Sequence, residues 1–270
     1  MTTKQQYLPS NNILQTRHLG EEASLNVLDF FPRPKKSEDM HVVVDHKSRN
    51  SHLVTDPTGV LKKWLVRRVE CIRGECEVIV EILPAFNYAQ DLHTTKIIDV
   101  GETPGGEASQ KVQFESKFLS LQLNATIHCG EHPDGHKPKV VWQKMEHRTE
   151  LGEGVTARVL LKEGQGVSLI LRDLNDEQEE HITTMCLDGV QKDTSSFWYN
   201  WISKSKYKGR WREVVNRSLM ILKMLVFEPT GAIVAALTFS LPEDFGGGRN
   251  WDYRFSWVSV SSSSTALPRD

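Results

Sequence analysis

The nine residues RNWDYRFSW at positions 249–257 set flat aromatic rings among charges. That mixture suits a sugar. Aromatic faces stack on the apolar C–H faces of a pyranose, and carboxylate and guanidinium groups take its hydroxyls in charge-assisted hydrogen bonds. Trp251, Asp252, Tyr253, Arg254 and Trp257 are the candidate substrate-binding residues. Core packing uses the same aromatic types with charges at the rim, so on residue types alone binding and packing stand level. Gly246, Gly247, Gly248 and Arg249 precede the motif. They lack the lysine and the strand-to-helix setting of a phosphate loop, and read as flexible backbone beside Trp251.

Other constellations weigh less. His128, Cys129, Glu131, His132 and His136 have the residue types and short spacings of a structural zinc site. No second cluster completes them, and Gly130, Pro133, Asp134 and Gly135 mark an exposed loop. Neither a metal nor a cofactor is expected. The acidic run at residues 176–180 reads as solvated surface. Cys71 and Cys76 flank Arg73 and Gly74. If those two residues turn a hairpin, the cysteines face each other as a non-hydrogen-bonded pair whose geometry admits a disulfide. Four cysteines are too few for a disulfide scaffold, and in a reducing compartment the thiols stay free.

The elements that must position these residues change character along the chain. Residues 64–72 alternate, with Leu65, Arg67, Val69 and Cys71 on one side. In the next run Cys76, Val78, Val80 and Ile82 oppose Glu75, Glu77 and Glu81. Period-two patterning predicts half-buried strands, and Gly74 supplies a positive φ between them. Strands are also expected at residues 11–19, 24–31, 112–127, 155–162 and 167–172, giving an antiparallel sandwich. From Asp193 the pattern turns helical. Asp193 and Thr194 are placed to cap a short helix through Phe197, Trp198 and Trp201. A second helix over 210–226 carries an apolar stripe at Trp211, Val214, Val215, Leu219, Leu222, Leu225 and Val226, widened by Met220, Ile221 and Met224. Glu213 and Arg217 stand in the favourable order for an ion pair, and Pro229 with Gly231 stops the helix. Residues from 258 are low-complexity and read as a disordered tail.

Composition narrows the function classes. Of 270 residues, 39% are hydrophobic and 25% charged, the balance of a globular chain with a sizeable core. A net charge of −2 and the lack of a basic run give nucleic-acid binding no support. No apolar stretch can span a membrane and the first residues lack a signal-peptide core, so a cytoplasmic location is expected.

Several stretches resemble glycoside hydrolase family 15, the glucoamylase-like group that includes glucodextranases and trehalase-like enzymes. They are YKGRWRE at 207–213, FEPTGAIVAA at 227–236, SLPE at 240–243 and RNWDYR at 249–254. LVRRVEC at 65–71 and YLPSNNILQT at 7–16 resemble the N-terminal, trehalase-like domain of that family. The resemblance implies a mostly β chain: an antiparallel β-supersandwich over residues 1–193, lacking its first strands. A linker helix and the first helix and loop of an incomplete (α/α)6 barrel follow over 194–270. It also implies hydrolysis of α-glucosidic bonds with inversion by two glutamates. Asp252, Tyr253 and Trp257 match positions that line the family's nonreducing-end sugar pocket, with Trp251 and Arg254 beside them.

Departures from the pattern matter as much. In the family, one variable residue after Trp257 leads to an Arg-Asp pair that grips sugar hydroxyls; here Ser259 and Val260 stand there. Arg269 and Asp270 appear ten residues late, and removing residues 259–268 would restore the order, as a retained or misjoined segment would require. No glutamate of this chain takes a catalytic role. The expectation is therefore a fragment of an α-glucoside or oligosaccharide hydrolase, inactive by itself. The alternative is a non-catalytic carbohydrate- or protein-binding β-sandwich module. An apolar helix at 210–226 without partners also offers a surface for self-association.

Overall fold

The computed structural model describes residues 1–34, 62–102, 108–128, 134–145, 151–174, 182–227, 232–235, 243–251 and 255. Its strands are β1 (Thr2–Tyr7), β2 (Leu14–Leu19), β3 (Ser24–Phe30), β4 (Trp64–Arg73), β5 (Glu75–Ile82), β6 (His93–Glu102), β7 (Ala108–Ser116), β8 (Ser120–His128), β9 (Gln143–Lys144), β10 (Val155–Lys162) and β11 (Gly166–Asp173). Two helices follow, α1 (Thr184–Ser203) and α2 (Arg212–Met224), then the short strands β12 (Val226–Phe227) and β13 (Ala232–Ile233). The chain is mostly β, as the alternation predicts, with every sheet antiparallel. It divides into two compact units. One comprises Met1–Leu8 and Ile13–Ser195, the other Pro9–Asn12 and Ser196–Asp270.

The first unit is a sandwich. An eight-stranded sheet runs β1-β2-β3-β4-β11-β8-β7-β6, and a three-stranded sheet runs β5-β10-β9. One core lies between them: Val69, Val112, Phe114, Leu123 and Val167 from the large sheet meet Val80, Val155, Val159 and Leu161 from the small one. Strand β10 shows the rule plainly. Val155, Ala157, Val159 and Leu161 point inward and are buried, while Thr156, Arg158 and Leu160 alternate outward. Each buried valine or leucine contributes roughly 1.5–3 kcal/mol. The opposite face of the large sheet is covered too. Leu28, Phe30, Trp64, Val66 and Ile170 pack there with Leu187 of α1. Strand β11 is therefore buried on both faces, which explains its near-continuous apolar run.

Several expectations need correction. Arg73 and Gly74 do not turn a hairpin: β4 pairs with β3 and β11, whereas β5 pairs with β10 in the other sheet. The chain turns a corner between sheets there. Gly74 does take a positive φ of 74°, and a Cβ on it would collide with the Glu22 carbonyl. Cys76 lies opposite Leu161, not opposite Cys71, and both cysteines are free thiols. Burial first, then the neighbouring Cys71, pushes the Cys76 thiol up to about 12. The expected strand over 112–127 is two strands, β7 and β8, joined by a tight turn closed by Ser116 N–H to Leu119 O at 3.0 Å. Strand β2 begins at Leu14, not at Asn11.

The helical half is also redrawn. Asp193 and Thr194 lie inside α1, not at its start. Thr194 Oγ1 donates to Val190 O at 2.8 Å and accepts Arg33 N–H at 2.9 Å. In the second unit Phe197, Trp198, Trp201 and Ile202 of α1 form a core with Met220 of α2, joined by Leu219 and Met224. The inward line of α2 is thus Met220 with its neighbours. Trp211, Val214 and Ile221 of the expected stripe are exposed. Arg217 bonds the Asn12 side-chain oxygen at 2.7 Å and the Asn11 carbonyl at 3.3 Å. Pro229, Gly231, the acidic run at 176–180 and the tail from 258 lie outside the described residues.

Candidate functional site

The approach to the aromatic motif is a built loop. Gly247 N–H donates to Asp244 O at 3.2 Å, and Gly246 supplies the positive φ of 67° that lets the chain reverse. Asn250 then clamps the turn. Its Oδ1 accepts Asp244 N–H at 3.0 Å, and its Nδ2 donates to Asp244 O at 2.9 Å and to Gly247 O at 3.2 Å. Arg249 Nε reaches the Asp244 carboxylate at 3.4 Å. Any side chain at Gly247 would run into that carboxylate. The glycine run is therefore a hydrogen-bonded turn, and the flexible backbone expected from composition is not what its bonding describes.

Trp251 follows the clamp directly and is 66% exposed. Phe245 and Phe255 are exposed as well. An exposed ring on a fixed turn can take the face of a sugar without first being ordered, which spares the conformational entropy of binding. Of the five candidate residues, Trp251 alone falls among the described ones; Asp252, Tyr253, Arg254 and Trp257 lie outside them.

The histidine-rich stretch dissolves as a metal centre. His128 ends β8, where its Nε2 is 2.5 Å from Ser168 Oγ and its Nδ1 is 3.4 Å from Arg68 Nη2. His136 instead bonds Gln165 at 2.9 Å. Cys129, Glu131 and His132 lie outside the described residues, and among the described ones no group of three metal-ligating side chains converges.

Ser168, His128 and Asp188 invite comparison with a nucleophile triad, but the chemistry runs the wrong way. A base must hold its lone pair toward the hydroxyl and its other nitrogen toward a carboxylate. Here Arg68 is a donor at Nδ1, so the ring proton sits on Nε2 and points at Ser168. Asp188 is spent on Arg68 Nη1, at 2.7 Å, beside Gln191 at 2.8 Å. Burial first, then the Arg68 cation, lowers His128 to about 4. The cluster fastens α1 to the sheet.

Sequence reading missed a further feature. A cavity of about 650 Å³ opens at the end of the sandwich between β6, β7 and the segment 151–153, with His93 in its wall. A lone histidine in an alternating strand carries no signal of this kind. Its role depends on Gly152, which is remote in sequence and whose φ is 146°.

Comparison with known proteins bears on the clamped loop. Residues 209–261 match the family model described as Glycosyl hydrolases family 15, a span that holds α2, β12, β13, the loop and all five candidate residues. The chain is 29% identical over 257 residues to the trehalase of Mycolicibacterium smegmatis, covering 95% of this chain and 34% of that protein. It is 28% identical over 260 residues to the trehalase of Mycobacterium tuberculosis, with the same coverage. Over 67 residues it is 52% identical to the trehalase of Thermoplasma volcanium. The chain spans about a third of the length of the two mycobacterial relatives.

Proposed function

We propose, for a chain of the trehalase-like glycosyl hydrolases family 15 as its segment 209–261 and its trehalase likeness over 95% of its length mark it, that these residues hold the sugar-entrance side of an α-glucosidic bond hydrolase. The names of the relatives favour trehalose as the substrate. One observation carries the reading: the Asn250-clamped turn that holds Trp251 out to solvent just before Asp252, Tyr253 and Arg254. Trp251 supplies a stacking face. Asp252 accepts sugar hydroxyls, Arg254 donates to them, and Tyr253 and Trp257 complete the apolar wall. In this reading residues 1–193 are the trehalase-like sandwich domain, and 194–270 the linker helix and the start of the catalytic barrel.

The reaction itself is inversion. One carboxylic acid protonates the leaving oxygen while a carboxylate roughly 6.5–9.5 Å away activates a water on the opposite face of the ring. None of the glutamates among these 270 residues is assigned either part. Expressed alone, the polypeptide is expected to bind trehalose weakly and to hydrolyse neither trehalose, maltose nor dextran-type glucosides. Glucose release and tryptophan fluorescence, measured on the same preparation, test this. Sustained turnover overturns the assignment of inactivity. Absence of a saturable trehalose signal, or a signal unchanged in Trp251→Ala and Asp252→Ala, overturns the site.

Two further parts of the reading stand on their own tests. Trp211, Val214 and Ile221 leave α2 with an exposed apolar line suited to self-association. Sedimentation at rising concentration should reveal oligomers that Val214→Lys reduces. No helix among the described residues is long and apolar enough to cross a membrane, and the proposed location is cytoplasmic; fractionation of the producing cells checks that.

A further inference from the structure

The corner between the two sheets brings two cysteines to the inner side of one bend. Cys71 is the last residue of β4 to enter the core between the sheets, and Cys76 is the first of β5. Ile72, Arg73 and Glu75, which with Gly74 separate them, are exposed. The bend is fixed on both sides. Cys71 N–H donates to Gln165 O, and Gly164 N–H donates to Cys71 O, each at 2.9 Å. Gly74 N–H donates to the Glu163 carboxylate at 3.2 Å, and Cys76 stands opposite Leu161. The turn between β10 and β11 therefore grips the chain before and after the corner. Arg73 adds an outer brace: its Nη2 donates to the carbonyl oxygens of Gly20 at 3.1 Å and Glu21 at 2.8 Å.

Within that frame the two sulfurs are neighbours. The Cys71 thiol lies under the bend and donates toward Arg73 O at 3.5 Å and Gly74 O at 3.4 Å, the carbonyls that lead to Cys76. Burial acts first on the Cys76 thiol, and Cys71 acts on it next, by charge and as a hydrogen-bonding partner, which requires the sulfurs to be close. Their access differs. Cys71 is 1% exposed, whereas Cys76 is half-buried. A small disulfide can therefore reach Cys76 and not Cys71. That is the arrangement of an attacking thiol with a resolving thiol behind it. The Cys76 thiol is pushed up to about 12, so its thiolate is scarce at neutral pH and exchange is slow there and faster in alkali.

We propose that Cys71 and Cys76 form a redox pair, oxidised by a small disulfide such as oxidised glutathione to an intramolecular disulfide that fastens β4 to β5 across the corner. The Cys76 thiolate attacks one sulfur of the oxidant, whose S–S bond breaks and releases one glutathione. Cys71 then gives its proton to water, attacks Cys76 Sγ and displaces the second glutathione. The protein loses two electrons and two protons, and the oxidant becomes two thiols. This does not rest on the function proposed for residues 249–257. The test equilibrates the whole 270-residue chain with mixtures of reduced and oxidised glutathione, in buffer and in concentrated urea. Free thiols are then blocked and the chain is mapped with trypsin. Cleavage after Arg73 puts the cysteines in separate peptides, 69–73 and 74–96, so the disulfide appears as a linked pair. The equilibrium constant for linkage is expected to be at least about tenfold larger in buffer than in urea, because the folded corner holds the sulfurs together. By the same linkage the oxidised chain should keep its circular dichroism and unfold at higher urea than the reduced one, a difference that Cys76→Ser removes. Cys129→Ser with Cys186→Ser, which spares the pair, should leave the constant unchanged. An equal or smaller constant in buffer, glutathione adducts on Cys76 without linkage, or linkage to Cys129 or Cys186 instead overturns the inference.

Discussion

At the scale of single residues, the polar cluster under α1 governs how the fold responds to acid. Arg68 is 6% exposed and holds Asp188, Gln191 and His128 together. His128 sits near 4 in the folded chain against an ordinary value of 6.5, so the unfolded chain binds more protons between those values. The stability contributed by neutral His128 is complete above pH 6.5. It falls as the pH drops through 6.5 and is lost once the pH passes below about 4. Urea midpoints at pH 7 and pH 4.5 should show this loss, and His128→Gln should reduce it. Arg68→Met removes the donor to Asp188 and Gln191. Asp188 remains partly hydrated, so the expected destabilisation is about 2 kcal/mol rather than that of a fully buried orphan charge. The same substitution should raise the His128 value, which an NMR titration reads directly. None of this was legible in the sequence. Arg68, His128 and Asp188 come from three distant elements, and an arginine in an alternating strand looks like solvent-facing decoration until a helix is laid over it.

At the scale of elements, patterning succeeded and partner choice did not. The alternation in residues 155–162 delivered β10 with its ends, because one face of that strand meets the core and the other meets water. The same alternation on either side of Gly74 suggested a hairpin. It was right about both strands and about the glycine's φ, yet silent about pairing, since two strands that turn a sheet corner bury the same faces as two that pair. The β7–β8 turn escaped because residues 117–119, Lys-Phe-Leu, contain no turn-forming glycine, proline or asparagine. The start of α1 was hidden by Thr194. A threonine ahead of an apolar run looks like a cap, but here its hydroxyl folds back on Val190. Two substitutions test the corrected elements by chemical denaturation. Gly74→Ala meets both an unfavourable φ and the Glu22 carbonyl, and should destabilise the sandwich by more than about 1 kcal/mol. Met220→Ala empties the centre of the α1–α2 core and should cost about 2–4 kcal/mol.

At the scale of the whole molecule, the tryptophans report on the parts separately. Trp64, Trp142, Trp198 and Trp201 are buried, whereas Trp211 and Trp251 are exposed. Acrylamide should quench two classes, and trehalose should protect only part of the accessible one; Trp251→Phe should abolish that protection. The run of rings and charges at 249–257 stands out in the sequence because those residue types are contiguous there, and its sugar-binding role is the proposal that the Trp251 and Asp252 substitutions test. Its clamp stands out less: Asn250 reads as an ordinary polar residue until its three bonds to Asp244 and Gly247 are seen. The corner at Gly74 has a consequence for the order in which this chain can be made. Strand β5 leaves its neighbour β4 and waits for β10, which begins only at Val155. Until then Cys76, Val78, Val80 and Ile82 form an apolar row with no sheet to join. Closing so distant a pairing is slow, because the loop must lose its entropy before any contact rewards it. A nascent chain therefore passes through a long interval with this row uncovered, when it is most apt to be captured by a chaperone or by another copy of itself.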